Sequence, residues 1–284
     1  MDAGRQDRGT QPTGRGHQDT PPTGRVIFVS AGPGAADLIT LRGARALAQA
    51  DVVLADALAD PALRDLAPQA RWLDVGKRGF EHSAKQTEIN ALLVRAAREH
   101  ALVVRLKGGD ASVFGRLEEE LIALAQAGIA CEVVPGVTAA LAAAAQAQRP
   151  LTRRGRGRSV SLTTAMTEAA ELRAARSADT EVFYMAGRQL AALGRQLLAA
   201  GWAADTPTLV VSRAGCADAI TSEHALADLA RAALLHRGRP TVVTVGTGAG
   251  VVGDQDMPRP ASNKIAISPE IPSMKAPLTA KSSP

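Results

Sequence analysis

The chain has 284 residues, 46% of them hydrophobic and only 2% aromatic, with a formal charge of +5. At roughly 150 residues per domain that length makes about two domains, with aliphatic cores, and seven aromatic residues leave none to spare for the stacking platforms of single-stranded nucleic-acid binders. The two cysteines, Cys131 and Cys216, form no CxxC pair and no apolar run approaches a membrane span, so a reduced, cytoplasmic protein with neither a zinc site nor a membrane anchor is expected.

Residues 1–25 are rich in Gly, Pro, Thr, Gln and Arg, lack the apolar stretch of a secretory signal, and read as a disordered tail of charge +1. An apolar run at 25–30, stopped by Ala31-Gly-Pro-Gly, predicts a buried strand and a tight loop. A helix over 41–50, a strand over 51–55, a short helix over 61–66 and a strand over 71–75 follow. The next helix covers 86–100, with Ile89, Leu92, Leu93 and Ala96 on one stripe. A strand over 102–106 ends in Lys107-Gly-Gly-Asp. A helix over 118–127, a strand over 131–134 and an Ala-rich helix over 138–147 complete the first half. Alternating strands and helices with short Gly-bearing turns predict a mainly parallel sheet covered by helices. Cys131 is expected to be buried in its strand.

After Pro150 the composition shifts. The run 149–158 is a basic connector carrying Arg149, Arg153, Arg154, Arg156 and Arg158. Strands over 159–163, 181–185, 208–211 and 240–245, with helices over 189–200 and 225–236, predict a second α/β lobe. The domain plan is therefore a tail at 1–25, one α/β lobe at 26–150, another at 151–253, and a disordered Pro- and Ser-rich tail at 254–284. Each tail contributes +1, which leaves 26–253 a modest +3.

Three glycine-bearing loops follow strands of the first lobe, at 30–34, 107–110 and 135–138, where open α/β sheets bind ligands. Ser30-Ala-Gly-Pro-Gly-Ala-Ala lacks the third glycine of the GxGxxG dinucleotide fingerprint, and Pro33 removes a backbone donor. Asp56 does stand where a ribose-binding acid would, so a nicotinamide-nucleotide module is weak but not absent. A P-loop is excluded. A neutral or cationic nucleoside fits the loops better than a pyrophosphate does.

Several motifs occur in a fixed order: Ala31-Gly-Pro-Gly with Asp37-Leu-Ile-Thr-Leu, Asp51-Val-Val-Leu-Ala-Asp-Ala-Leu, Val75-Gly-Lys-Arg-Gly with His82-Ser, Gln86 and Ile89-Asn90, Val103-Val-Arg-Leu-Lys-Gly-Gly-Asp with Val113-Phe-Gly-Arg, Val133-Val-Pro-Gly-Val-Thr-Ala, and Pro150-Leu-Thr-Arg-Arg. Together they resemble the uroporphyrinogen-III C-methyltransferases of the tetrapyrrole (precorrin) methyltransferase class, over about 26–250. The resemblance implies S-adenosylmethionine (SAM) as methyl donor, bound in a cleft between the two lobes. It implies a homodimer that methylates uroporphyrinogen III at carbons 2 and 7, giving precorrin-2 for siroheme or cobalamin. No metal, nucleic acid or membrane takes part.

Carried over residue by residue, the resemblance places SAM contacts at Pro33, Gly108, Gly109, Asp110, Val113, Thr138, Ala139, Met185 and Ala214, and the base and acid at Asp56 and Lys77. Elementary chemistry agrees. Gly108 and Gly109 allow close backbone approach, Thr138 stands at a helix N-cap beside a terminus that favours a carboxylate, and Met185, by itself a core residue, is a soft wall. Arg78, Arg116, Arg153 and Arg154 are candidates for the eight substrate carboxylates, Arg being suited to bidentate pairing. His82 is a substrate contact or a structural histidine. Where the resembling sequences usually carry Asp, Pro, His and Gly, this chain has Ala35, Ala111, Arg153 and Ala214. A neighbouring precorrin methyltransferase acting at another ring position, and a basic nucleic-acid-associated protein using the 149–158 run, are the other readings.

Overall fold

The computed structural model describes residues 24–76, 86–165 and 174–253. Residues 1–23 and 254–284 of the tails, Lys77, Arg78 and His82 lie outside them, and the N-terminal tail is shorter than predicted because Arg25 opens the first strand. Strands β1 (Arg25–Ser30), β2 (Val52–Ala55), β3 (Arg71–Asp74), β4 (Leu102–Lys107) and β5 (Cys131–Val134) form one sheet in the order β3-β2-β4-β1-β5. Every pairing in it is parallel, as predicted. The reason lies in the continuous apolar runs, which suit strands covered on both faces. Ile27 and Val29 pack with Leu47 of α1 (Leu41–Ala48) and with Leu63, while Val26 and Phe28 pack on the opposite face with Leu93 of α2 (Gln86–Glu99) and Leu124 of α3 (Leu117–Gln126). Helix α1 starts cleanly because the Thr40 hydroxyl accepts from the Gly43 N–H at 3.1 Å.

The second sheet contains β6 (Val160–Thr164), β7 (Thr180–Tyr184), β8 (Pro207–Ser212), β9 (Ile220–Ala225) and β10 (Thr241–Gly246), ordered β6-β7-β10-β8-β9. Only β6 and β7 pair in parallel; the other neighbours are antiparallel. Helix α4 (Ala139–Ala147) joins the two halves. Its Ala140, Ala142 and Ala143 pack on Val182, Leu209, Val211 and Val242 of the second sheet, small side chains letting backbone and sheet approach closely. On the other face, α5 (Leu190–Ala199), a 3-10 turn over Leu226–Arg231 and the short α6 (Ala232–Leu235) cover Phe183, Val210 and Val243.

Two expectations change here. The helix predicted over 225–236 is a 3-10 turn followed by one turn of α-helix, and the strand before it, β9, is not among those predicted. The connection 213–219 is too short for a parallel crossover of roughly a dozen residues, so β9 turns back on β8 as a hairpin. Cys131 is exposed, not buried, because it opens the edge strand β5. Among the described residues no helix is long and apolar enough to cross a membrane.

Candidate active site

The carboxyl ends of β1, β4 and β5 are tied together by their loops. The Gly32 N–H donates to the Gly109 carbonyl at 3.1 Å and the Gly109 N–H to the Gly32 carbonyl at 2.8 Å. The Ala111 N–H donates to the Ser30 hydroxyl at 3.0 Å. The Asp110 carboxylate spans two loops, Oδ1 accepting from the Ser112 N–H and Oδ2 from the Gly136 N–H, both at 2.8 Å. Partial burial opposes its charge, but the Gly136 and Ser112 hydrogen bonds outweigh that and hold its carboxyl below the usual range. Gly109 has φ +67, and a Cβ there would meet nothing within 4 Å. Its glycine is required by the left-handed backbone, and the space beside it is open to a ligand.

Second-lobe residues close on these loops. The Thr138 and Tyr184 hydroxyls lie 2.7 Å apart, and the Ala140 N–H donates to the Tyr184 oxygen at 3.3 Å. Burial pushes the Tyr184 phenol up, so it stays neutral. The Phe114 ring packs on Tyr184 at 5.0 Å between centroids. The Ala35 N–H donates to the Gly215 carbonyl at 3.0 Å. At Gly34 an added Cβ would stand 2.7 Å from both the Gly215 carbonyl carbon and the Cys216 sulfur. We therefore expect Gly34→Ala to lower the melting temperature, at a cost of about 1–3 kcal/mol; an unchanged melting temperature would show that the loops part freely. Phe114, Arg116, Met185 and Arg213 all adopt positive φ near this junction, the kind of local strain that gathers at functional sites.

Beneath the loops lies a buried ionic cluster. Arg105 and Lys107 on β4 are each 2% exposed and Glu120 on α3 is 0% exposed. Arg105 donates from Nε and Nη2 to Glu120 Oε1 at 3.1 Å each, and from Nη2 to Asp56 Oδ1 at 2.6 Å. Lys107 Nζ donates to Glu120 Oε2 at 2.9 Å, and Gln86 Nε2 to Glu120 Oε1 at 3.2 Å. Burial, then the Arg105 charge, pushes the Lys107 ammonium below its ordinary value against the pull of Glu120 and Asp56. Two cations and two carboxylates thus balance in a site that would not tolerate one alone.

A uroporphyrin-III C-methyl transferase of Thermus thermophilus, complexed with S-adenyl homocysteine, superposes with a TM-score of 0.70 at 38% identity, covering 78% of this chain and 97% of that one. A cobalt precorrin-4 methyltransferase also reaches 0.70, at 28% identity, covering 80% of this chain and 96% of that one. The Pseudomonas aeruginosa uroporphyrinogen-III C-methyltransferase is 46% identical over 196 residues, 68% of this chain and 80% of its own length. Siroheme synthase 1 of Klebsiella pneumoniae is 47% identical over 197 residues, 67% of this chain but only 42% of that protein. The sequence profile of the Tetrapyrrole (Corrin/Porphyrin) Methylases matches residues 25–230. This chain belongs to the tetrapyrrole methylases.

In this tetrapyrrole methylase the predicted residues fall into two groups. Pro33, Gly108, Gly109, Asp110, Val113, Thr138, Ala139, Met185 and Ala214 gather where the loops of the two sheets meet, and Asp56 stands at the adjoining end of β2. Thr138 occupies the N-cap position of α4, yet its side chain makes no capping bond and its hydroxyl meets Tyr184. Met185 is 52% exposed. Arg116 is exposed and bonds Glu119 through two contacts of 2.7 Å. The turn bearing Arg153, Arg154 and Arg156 is not brought to this junction. Arg153 donates to the Gly250 and Val251 carbonyls, past the end of β10. With Arg156, Arg176 and His224 it lines a cavity of about 820 Å³ at the Thr180 end of the second sheet, opposite Met185.

Sequence reading missed Arg105, Lys107 and Glu120 as a cluster. A signal existed: two cations inside the apolar run Leu102-Val-Val-Arg-Leu-Lys of a central strand require a buried partner. Nothing in the sequence pointed to Tyr184 as the partner of Thr138.

Proposed function

We propose that this tetrapyrrole methylase is a SAM-dependent uroporphyrinogen-III C-methyltransferase, methylating carbons 2 and 7 of the macrocycle to give precorrin-2 for siroheme or cobalamin biosynthesis. The reading is carried by the likeness to curated enzymes of that activity, 46% and 43% identical over 80% and 76% of their lengths. The knit loops fit a nucleoside donor: open space at Gly109, a carboxylate at Asp110 and an adaptable thioether at Met185. SAM is held by Pro33, Gly108, Gly109, Asp110, Val113, Thr138, Ala139, Met185 and Ala214, and supplies a methyl group on a cationic sulfur. A pyrrole carbon takes the methyl while sulfur keeps the C–S electron pair, and the ring then gives up one proton for each methyl gained.

Asp56 accepts that proton; its orientation by Arg105 suits general-base work. Lys77 serves as the acid. In-line positioning of methyl and ring carbon supplies much of the acceleration. Arg78 and Arg116 remain the candidates for substrate carboxylates, while the Arg153 guanidinium donates to backbone carbonyls and Arg154 lies in the same turn, away from the loop junction. The protein works in the cytoplasm as a homodimer, without metal, nucleic acid or membrane.

Purified protein given SAM and uroporphyrinogen III made in situ is expected to incorporate two methyl groups per macrocycle and to yield a chromophore on oxidation. No incorporation, or incorporation only into later corrin precursors, sinks this reading; the second result would favour the activity of the cobalt precorrin-4 relative.

A further inference from the structure

We propose that Glu120 is a positioning residue for methyl transfer, aiming the Asp56 carboxylate through the Arg105 guanidinium; this rests on the reading of Asp56 as the proton acceptor. The geometry leaves Arg105 little freedom. Its Nη1 donates to the Leu54 and Leu106 carbonyls at 3.2 and 3.1 Å. Glu120 grips Nε and Nη2 from the other side. A planar guanidinium held on both edges presents its remaining Nη2 direction in one way only, and that direction meets Asp56 Oδ1. Asp56 itself sits at a strand exit with 31% of its side chain exposed, so nothing comparable on its solvent side fixes it among the described contacts.

Glu120 is fixed in turn. Lys107 occupies its second oxygen and Gln86, the first residue of α2, reaches its first. The Lys107 carbonyl accepts from the Ala31 N–H at 2.7 Å, which ties the same cluster to the glycine loops. A carboxylate with no exposure and four donors touches no substrate. It acts on the reaction through the atoms it holds, and a group displaced by about 1 Å can cost up to two orders of magnitude in rate.

A purely structural reading makes Glu120 only the counter-charge for Arg105 and Lys107. The full-length chain separates the two through four variants: Asp56→Asn, Glu120→Gln, their double, and Glu120→Gln with Lys107→Met. Turnover, KM for uroporphyrinogen III, calorimetric Kd for SAM and melting temperature are measured on each. Glu120→Gln is expected to lower kcat about tenfold with KM and the SAM Kd within twofold. Asp56→Asn is expected to be slow, and adding Glu120→Gln to be without further effect. Lys107→Met removes the uncompensated cation, and should restore the melting temperature of Glu120→Gln but not its kcat. Recovery of kcat in that compensated variant overturns the proposal, as does a normal kcat in Glu120→Gln beside a slow Asp56→Asn. Additive losses in the double variant overturn it too. A wild-type rate in Asp56→Asn overturns the reading of Asp56 instead, and with it the route through Arg105.

Discussion

Asp110→Ala is expected to weaken SAM binding about 100-fold, because one carboxylate holds together the two loops that a nucleoside donor would enter. Its oxygens accept from Ser112 on its own loop and Gly136 on the next. Charge-assisted bonds of this kind contribute roughly 1.5–3 kcal/mol each, and 1.4 kcal/mol is a factor of ten in affinity. Losing two of them covers the expected change even after the loops relax. Asp110→Asn keeps one acceptor but turns an amide toward an N–H, so it should fall between the wild type and Ala. The pH dependence follows from the sign of the shift. The folded carboxyl titrates below its ordinary value, so its contribution is complete above the unfolded pKa and is lost only as pH falls through the folded one. SAM affinity should therefore be flat from pH 6 to 8 as far as Asp110 is concerned. Calorimetric titration of SAM into both variants at pH 7.5 checks this, and a Kd for Asp110→Ala within threefold of wild type would remove Asp110 from the binding site.

The elements that were legible in the sequence are those whose burial leaves a one-dimensional trace. Strands β1 and β2 are apolar runs because helices cover both faces, β4 is such a run interrupted by Arg105, and glycine loops mark the exits of β1 and β4. Strand β9 leaves no such trace. It is an edge strand with exposed Thr221 and Glu223, and its alternation resembles that of a loop until β8 is beside it. The site shows the same division. Asp110 and Gly109 announce themselves by a motif on one loop, whereas the Glu120 cluster draws on β4, the exit of β2 and the helices α2 and α3, with Asp56 49 residues from Arg105. The basic run 149–158 shows what composition leaves out. Charge density suggested a carboxylate-binding surface, but folding directs Arg153 to backbone carbonyls at the far end of the second sheet. Charge counts carry no direction; only the strand register does.

Acid should destabilise the second lobe by up to about 3 kcal/mol between pH 6.5 and pH 4 through one buried histidine. His236 is 0% exposed. Its Nδ1 lies 2.5 Å from the Ser212 hydroxyl and its Nε2 lies 2.8 Å from the Ser222 hydroxyl, which also meets His224 Nε2 at 2.8 Å. Ser212 is bound further to the Thr241 hydroxyl at 2.9 Å. Burial, then the neighbouring charges of His224 and Arg239, lowers the His236 pKa from 6.5 to about 4. The folded state therefore prefers the neutral ring. That preference contributes fully above the unfolded pKa and disappears as pH falls through the folded one, and each pKa unit of difference corresponds to about 1.4 kcal/mol. His236→Gln retains an amide for the serines but cannot titrate. It should be less stable than wild type at pH 7, yet lose less stability on acidification, so the two urea midpoints converge toward pH 4. Trp202 lies in the core beside Phe183 and Leu197 of the second lobe, while Trp72 packs on the first. In a Trp72→Phe background, tryptophan fluorescence thus reports the lobe that holds His236. If wild type and His236→Gln lose stability in parallel between pH 7 and 4, the titrating group lies elsewhere. If they converge, the serine–histidine network at the end of β8, next to Ala214, ties the stability of the second lobe to pH at the same edge that faces the glycine loops.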